Sequence, residues 1–248
     1  MTEIVHLEVV DGVATITLDS DHNRNALSKQ LVSELAQHLA TAGDDDAARA
    51  VLVRSAGRVF CSGADLSEAA ASGMVEGAKA LIALQRQIAT LSKPVVVELG
   101  GPVRAGGLGI VGAADIVVAA ESVTFALTEV RLALAPAVIS ATLLPRLTDR
   151  AAADLFLTAR TFDASEAVQV GLVTRAVADA DLQTEVARSL GDLLKGYPQG
   201  LRETKRLLNH DLVARIDALG DRLAALSGEL FGSDEARAAM TAFLQRAR

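Results

Sequence analysis

The chain has one cysteine, no tryptophan, one tyrosine and no run rich in lysine and arginine. A lone thiol, Cys61, cannot close an internal disulfide, so no covalent staple is expected and a reducing compartment is implied. The histidines, His6, His22, His38 and His210, stand far apart and offer no metal-ligand spacing, so no structural metal is expected. A net charge of −7 without a basic patch removes the electrostatic footprint that binding a phosphate backbone requires, and nucleic acid is not an expected partner. Residues 1–8 lack the basic stretch and apolar run of a secretion signal. The longest apolar segment, 132–145, is shorter than the ~20 residues of a membrane span and carries Pro136 and Pro145, so it is read as buried core. A cytoplasmic location without a membrane partner is the expectation.

What is present is aliphatic. Half of the residues (50%) are hydrophobic and only 3% are aromatic, so a large core has to be built from Ala, Leu and Val. This length and apolar content suit one α/β domain. Residues 4–10 and 13–18 alternate as strands do and flank Asp11-Gly12, a dipeptide suited to the positive φ angles of a tight hairpin turn. Ser28 can cap a helix in which Leu31, Leu35 and Leu39 recur on one face until the acidic residues 44–46 end it. A strand is expected at 50–54, a helix at 75–91 and a strand at 94–99, followed by a glycine-rich turn, a short helix and a strand at 115–119. Such alternation argues for α/β architecture. Beyond residue 148 the pattern turns helical, at 150–157, 181–194, 201–213 and 233–246, with 172–177 as the remaining strand. No fixed-period repeat, low-complexity segment or linker marks a domain boundary.

Gly107-Leu108-Gly109-Ile110-Val111-Gly112 fits the dinucleotide fingerprint G-x-G-x-x-G, and Glu129 stands twenty residues beyond Gly109, where a ribose-binding acid would sit. Taken alone this suggests an NAD-dependent dehydrogenase. The fingerprint needs its first glycine at the end of a strand, however, and residues 100–106, including Pro102, intervene. Close packing of a short helix is the competing explanation of these glycines.

Other segments keep this cluster company. Asn23-Arg24-Asn25-Ala26-Leu27 precedes the first helix, and Phe60-Cys61-Ser62-Gly63-Ala64-Asp65-Leu66 follows a strand. Gly101-Pro102-Val103-Arg104-Ala105-Gly106-Gly107-Leu108-Gly109 continues to Ala114-Asp115-Ile116, and the stretches 125–136 and Met240-Thr241-Ala242-Phe243-Leu244 complete the series. In this order and spacing the chain resembles the enoyl-CoA hydratase/isomerase (crotonase) superfamily over essentially its whole length. The resemblance implies an α/β, ClpP/crotonase-like spiral of ββα units with a C-terminal helical region. It implies one domain over 1–248, with a spiral core at 1–190 and a helical trimerisation region at 191–248. It further implies a homotrimer or hexamer, an acyl-CoA thioester substrate in lipid (fatty acid) metabolism, and no cofactor other than the coenzyme A that the substrate carries.

By the same resemblance the amides of Ala64 and Gly106 form an oxyanion hole and Glu129 is the acid/base. Arg24, Ala26, Ala64, Asp65, Leu66 and Gly106 would bind CoA, joined by Phe243 and Arg246 from a neighbouring subunit. Chemistry supplies the reason: charge that develops on a thioester oxygen needs fixed N–H donors, and a proton moving at the neighbouring carbons needs a positioned carboxylate. Phe243 and Arg246 lie three apart and share one helix face, and removing residues 233–248 is expected to weaken CoA binding without touching Glu129. Family hydratases commonly use two glutamates; here the first position is Gly109 and only Glu129 remains. An enoyl-CoA hydratase is the leading expectation. A Δ3,Δ2-enoyl-CoA isomerase, which needs one base, stays open, as do the dehydrogenase and a non-catalytic CoA-binding protein. Arg104 and Arg131, which flank the expected pocket, are read as structural, the Asp65 side chain as a cap for the following turn, and Cys61 as packing.

Overall fold

In the computed structural model, which describes residues 2–72 and 74–246 (backbone alone at 70–72, 244 and 246), the expected hairpin opens the fold. Asp11 and Gly12 stand at φ 49° and 84° and turn β1 (Val5–Val10) back onto β2 (Val13–Leu18). The Ser28 hydroxyl accepts from the Leu31 amide at 3.2 Å and starts α1 (Lys29–Asp44), with Leu31, Leu35 and Leu39 fully buried. β3 (Ala50–Ser55), α2 (Leu66–Ser72), α3 (Val75–Thr90) and β4 (Val95–Leu99) follow. Every residue of β4 is buried, as befits a parallel strand covered on both faces. The chain continues through β5 (Val103–Arg104), α4 (Gly107–Ala113), β6 (Ile116–Ala120), β7 (Thr124–Ala126), α5 (Ala137–Leu143), α6 (Asp149–Thr158) and β8 (Phe162–Asp163). It ends with α7 (Ala164–Gln169), β9 (Arg175–Val177), α8 (Leu182–Leu194), α9 (Pro198–Leu208), α10 (His210–Phe231) and α11 (Asp234–Arg246). Among the described residues no helix is long and apolar enough to cross a membrane.

The strands form two rows. The larger sheet has the order β1-β2-β3-β4-β6-β9 and is parallel except at the β1–β2 hairpin. In the shorter row β5 pairs parallel with β7, which pairs antiparallel with β8. Single bridges from Cys61 to Val103 and from Leu27 to Ala64 extend this row backwards along the chain. Successive turns of the chain thus lay a strand in the large sheet and a shorter piece in the second row before the next helix, which is the spiral of ββα units that the resemblance implies.

The helical part departs from the sequence reading. Residues 201–213, expected as one helix, are two, because Asn209 turns its side chain inward to the Ala89 carbonyl (3.1 Å) and Asp115 (3.0 Å). α10 then runs 22 residues, and to its residues 214–231 the sequence reading assigns no helix. Its glycines permit close approach to α3: a methyl group on Gly220 would lie 2.8 Å from Ile82 Cγ2, and one on Gly228 would collide with Val75. Of the apolar segment 132–145, read as core, half is α5, buried and packed against α10, while Ala135, Leu144 and Pro145 are exposed. The boundary expected at 190 falls inside α8. α9 is anchored from below by Lys205, 4% exposed, whose Nζ stands 2.7 Å from Asp115 and donates to the carbonyls of Ile88 (2.8 Å) and Lys93 (3.0 Å).

Candidate active site

Three consecutive turns of the spiral end side by side. In the second row the Leu27 amide donates to the Gly63 carbonyl (2.8 Å), Arg104 N–H to the Cys61 carbonyl (2.9 Å) and Ala105 N–H to the Ala126 carbonyl (3.0 Å). This register brings Ala64, Gly106 and Glu129 to one cleft of about 1390 Å³. A Cβ on Gly106 would stand 3.9 Å from the Ala64 nitrogen, so the two amides of the expected oxyanion hole are neighbours. Gly63 makes the approach possible: it sits at φ 98°, and a side chain there would meet Ala105 Cβ at 3.0 Å.

The Asn23-Arg24-Asn25 motif holds this loop in place. Arg24 and Asn25 adopt left-handed backbone angles (φ 58° and 53°), and the buried Asn25 amide accepts from Ser20 N–H (2.7 Å) and donates to the Val59 carbonyl (2.9 Å). Ser62 N–H donates to the Arg24 carbonyl (3.1 Å) and the Ser62 hydroxyl to the Asn23 carbonyl (3.1 Å). Asp65 accepts from the amides of Ser67 (3.0 Å) and Glu68 (3.2 Å) and so caps α2, as the sequence suggested. Arg24, Asp65 and Leu66 line the cleft, whereas Ala26 is buried and does not. The Arg104 guanidinium donates to the Thr124 carbonyl (2.5 Å) and hydroxyl (2.8 Å), fastening β5 to β7, which supports its structural reading. Arg131 is exposed at the rim.

Glu129 begins a 3₁₀ turn, Glu129–Leu132. Its Oε2 is buried without a hydrogen-bond partner, and burial pushes the carboxyl up to about 7 against the opposing pull of its own backbone amide. At Gly109, the position of the absent glutamate, a Cβ would lie 3.0 Å from Ile139 Cγ2 and 3.1 Å from the Gln85 amide, which accepts from the Thr142 hydroxyl at 2.7 Å. The neighbouring glycines are crowded in the same way, Gly107 by Cys61 Cβ at 2.7 Å and Gly112 by Thr142 Oγ1 at 2.9 Å. All of α4 is buried. The G-x-G-x-x-G match therefore serves packing, and the dinucleotide reading does not hold, because the space above its glycines is filled by side chains. Cys61 is fully buried with its thiol pushed up to about 12, so it packs and does not react.

The C-terminal helix reaches the cleft. Phe243, expected at a CoA site shared with a neighbouring subunit, lines the cleft of its own chain. Ala236 and Met240 are buried with Leu134, so α11 packs on the turn that carries Glu129, and removing it would disturb that turn. The side chain of Arg246 lies outside the described residues. Sequence reasoning does not reach Leu27, Leu81, Ile139 and Phe231, which wall the cleft. The apolar period of α3 marks Leu81 as inward but does not tell a core contact from a cavity wall.

Against known proteins, the family model described as Enoyl-CoA hydratase/isomerase matches residues 8–248. The fold is similar to the crystal structure of an enoyl-CoA hydratase from Mycobacterium avium, with a TM-score of 0.92 and 45% identity over 99% of this chain and 98% of that one. In sequence the chain is similar to a short-chain-enoyl-CoA hydratase of Clostridium acetobutylicum, 28% identical over 98% of this chain and 95% of the relative. It is also similar to a 4-chlorobenzoyl coenzyme A dehalogenase of an Arthrobacter species, 34% identical over 75% of this chain and 71% of the relative.

Proposed function

The chain belongs to the enoyl-CoA hydratase/isomerase family, and on that premise we propose that it is an enoyl-CoA hydratase in which Glu129 alone manages both the water and the proton. The observation that carries the proposal is the buried, unpartnered Oε2 of Glu129, in a cleft that also presents Ala64 and Gly106. The thioester oxygen would accept from the Ala64 and Gly106 amides, each such donor contributing about 3–4 kcal/mol to the transition state. The Glu129 carboxylate takes a proton from water as the water oxygen bonds to Cβ. The C=C electron pair moves into the enolate held by the two amides, and Glu129 then returns the proton to Cα. Arg24, Asp65, Leu66 and Phe243, all at the cleft, are the described residues placed to contact the CoA portion.

One observation favours a second reading. Gly109 supplies no carboxylate at the position of the family's first glutamate, and a side chain there would crowd Ile139 and Gln85, which suits a Δ3,Δ2-enoyl-CoA isomerase, since moving a proton between two carbons needs a single base and no water. The deciding experiment offers 2-enoyl-CoA and 3-enoyl-CoA separately in ¹⁸O-labelled water. Label in a 3-hydroxyacyl-CoA product supports the hydratase. Conversion of the 3-enoyl substrate without label, and no label from the 2-enoyl substrate, replaces it with the isomerase. No turnover of either over a broad panel of chain lengths would leave a CoA-binding protein.

A further inference from the structure

The turn that carries Glu129 is held from outside the main core. Its end is closed on Glu129 itself, because Ala133, at φ 57°, and Leu134 both donate their amides to the Glu129 carbonyl, the latter at 3.1 Å. Leu134 is 6% exposed, and its buried partners come from α11: Ala236 at 0% and Met240 at 6%. These residues form an apolar cluster distinct from the one beneath the sheet. Leu66, two residues beyond Ala64, packs on the same cluster, as do Leu230 and Phe231 from the end of α10. One small cluster therefore touches both the loop that carries an oxyanion amide and the turn that carries the carboxyl.

α11 meets the cleft with apolar side chains and not with charge. Toward the cleft it presents Ala239, Ala242 and Phe243. Besides Glu129, the charged side chains that line the cleft are Arg24, Lys29, Asp65, Glu68, Glu76, Arg104 and Arg131, and none of these belongs to α11.

We propose that Met240 is a positioning residue for Glu129: packed on Leu134, it fixes the 129–134 turn and holds α11 closed over the carboxyl. The inference rests on Glu129 being the acid/base. Loss of the thioether would leave a void under Leu134, loosen the turn and admit water to a carboxyl that burial keeps protonated to about 7. Met240→Leu keeps most of the volume and should preserve the arrangement.

The test uses the full chain and measures kcat, KM and the titration of the Glu129 carboxyl, followed by ¹³C-glutamate NMR and assigned with Glu129→Gln. Met240→Ala is expected to lower kcat about tenfold with KM changed less than about twofold. The midpoint of the Glu129 titration should fall by about one pH unit, and Met240→Leu should restore both. A folded Met240→Ala enzyme with wild-type kcat and an unmoved midpoint overturns the proposal. If Met240→Ala does not fold, Ala236→Val, which overfills the same cluster, is read by the same criteria. Full activity of Glu129→Gln would instead sink the acid/base reading; the carboxyl midpoint in Met240→Ala would still decide whether Met240 controls the turn.

Discussion

A carboxyl with one oxygen buried and unpartnered binds its proton more tightly than in water, and burial pushes Glu129 up to about 7, against 4.5 for the free side chain. Between those two values the folded chain holds a proton that the unfolded chain has lost, so stability falls as pH rises through this window and the loss is complete above 7. Glutamine at 129 removes the penalty. Glu129→Gln is expected to be more stable than wild type by about 1–3 kcal/mol at pH 8 and nearly equal to it at pH 4, measured by denaturant unfolding. Chemistry runs the other way. Hydration and isomerisation both begin with the carboxylate accepting a proton, so kcat/KM should climb about tenfold per pH unit up to about 7 and then level. Glu129→Gln should cut turnover by roughly 10²–10⁴ while CoA affinity stays within a few-fold, and a variant retaining more than about a tenth of wild-type activity would remove Glu129 from the role.

At the scale of elements, the parts legible in the sequence are those whose signals are local. Asp11-Gly12 specifies a turn by its own backbone preferences, and Ser28 caps α1 through a hydrogen bond three residues long. The division between α9 and α10 has no such signal, because Asn209 breaks the helix for the sake of Ala89 and Asp115, 120 and 94 residues away. Lys205 is equally deceptive: within Arg202-Glu203-Thr204-Lys205-Arg206 it reads as part of a solvated face, yet its ammonium is buried against Asp115. Removing one member of a buried pair strands the other charge. Lys205→Met should therefore destabilise the fold by about 3–5 kcal/mol, despite the similar volume, and a loss below about 1 kcal/mol in thermal or denaturant unfolding would show that water reaches Asp115.

For the whole molecule, Tyr197, Leu207 and Leu208, on or beside α9, are large apolar side chains left 84%, 80% and 75% exposed. Sedimentation is expected to report a trimer or hexamer, and Leu207→Glu with Leu208→Glu to shift it toward the monomer; a monomeric wild type would contradict that assembly. The amino-acid order by itself determined the hairpin, the capped first helix, the α/β alternation and the motifs that carry Ala64, Gly106 and Glu129, because each depends on residues close in the chain or on short patterns with one chemical use. It left the glycines of α4 ambiguous between a cofactor and packing. Only the tertiary structure decided that Cys61, Gln85, Ile139 and Thr142 fill the space above them, since those neighbours come from other turns of the spiral. Tertiary structure also decided that α11 packs on the turn that carries Glu129: a terminal amphipathic helix carries its apolar face in its sequence, but the surface that covers that face is chosen by the shape of the rest of the molecule.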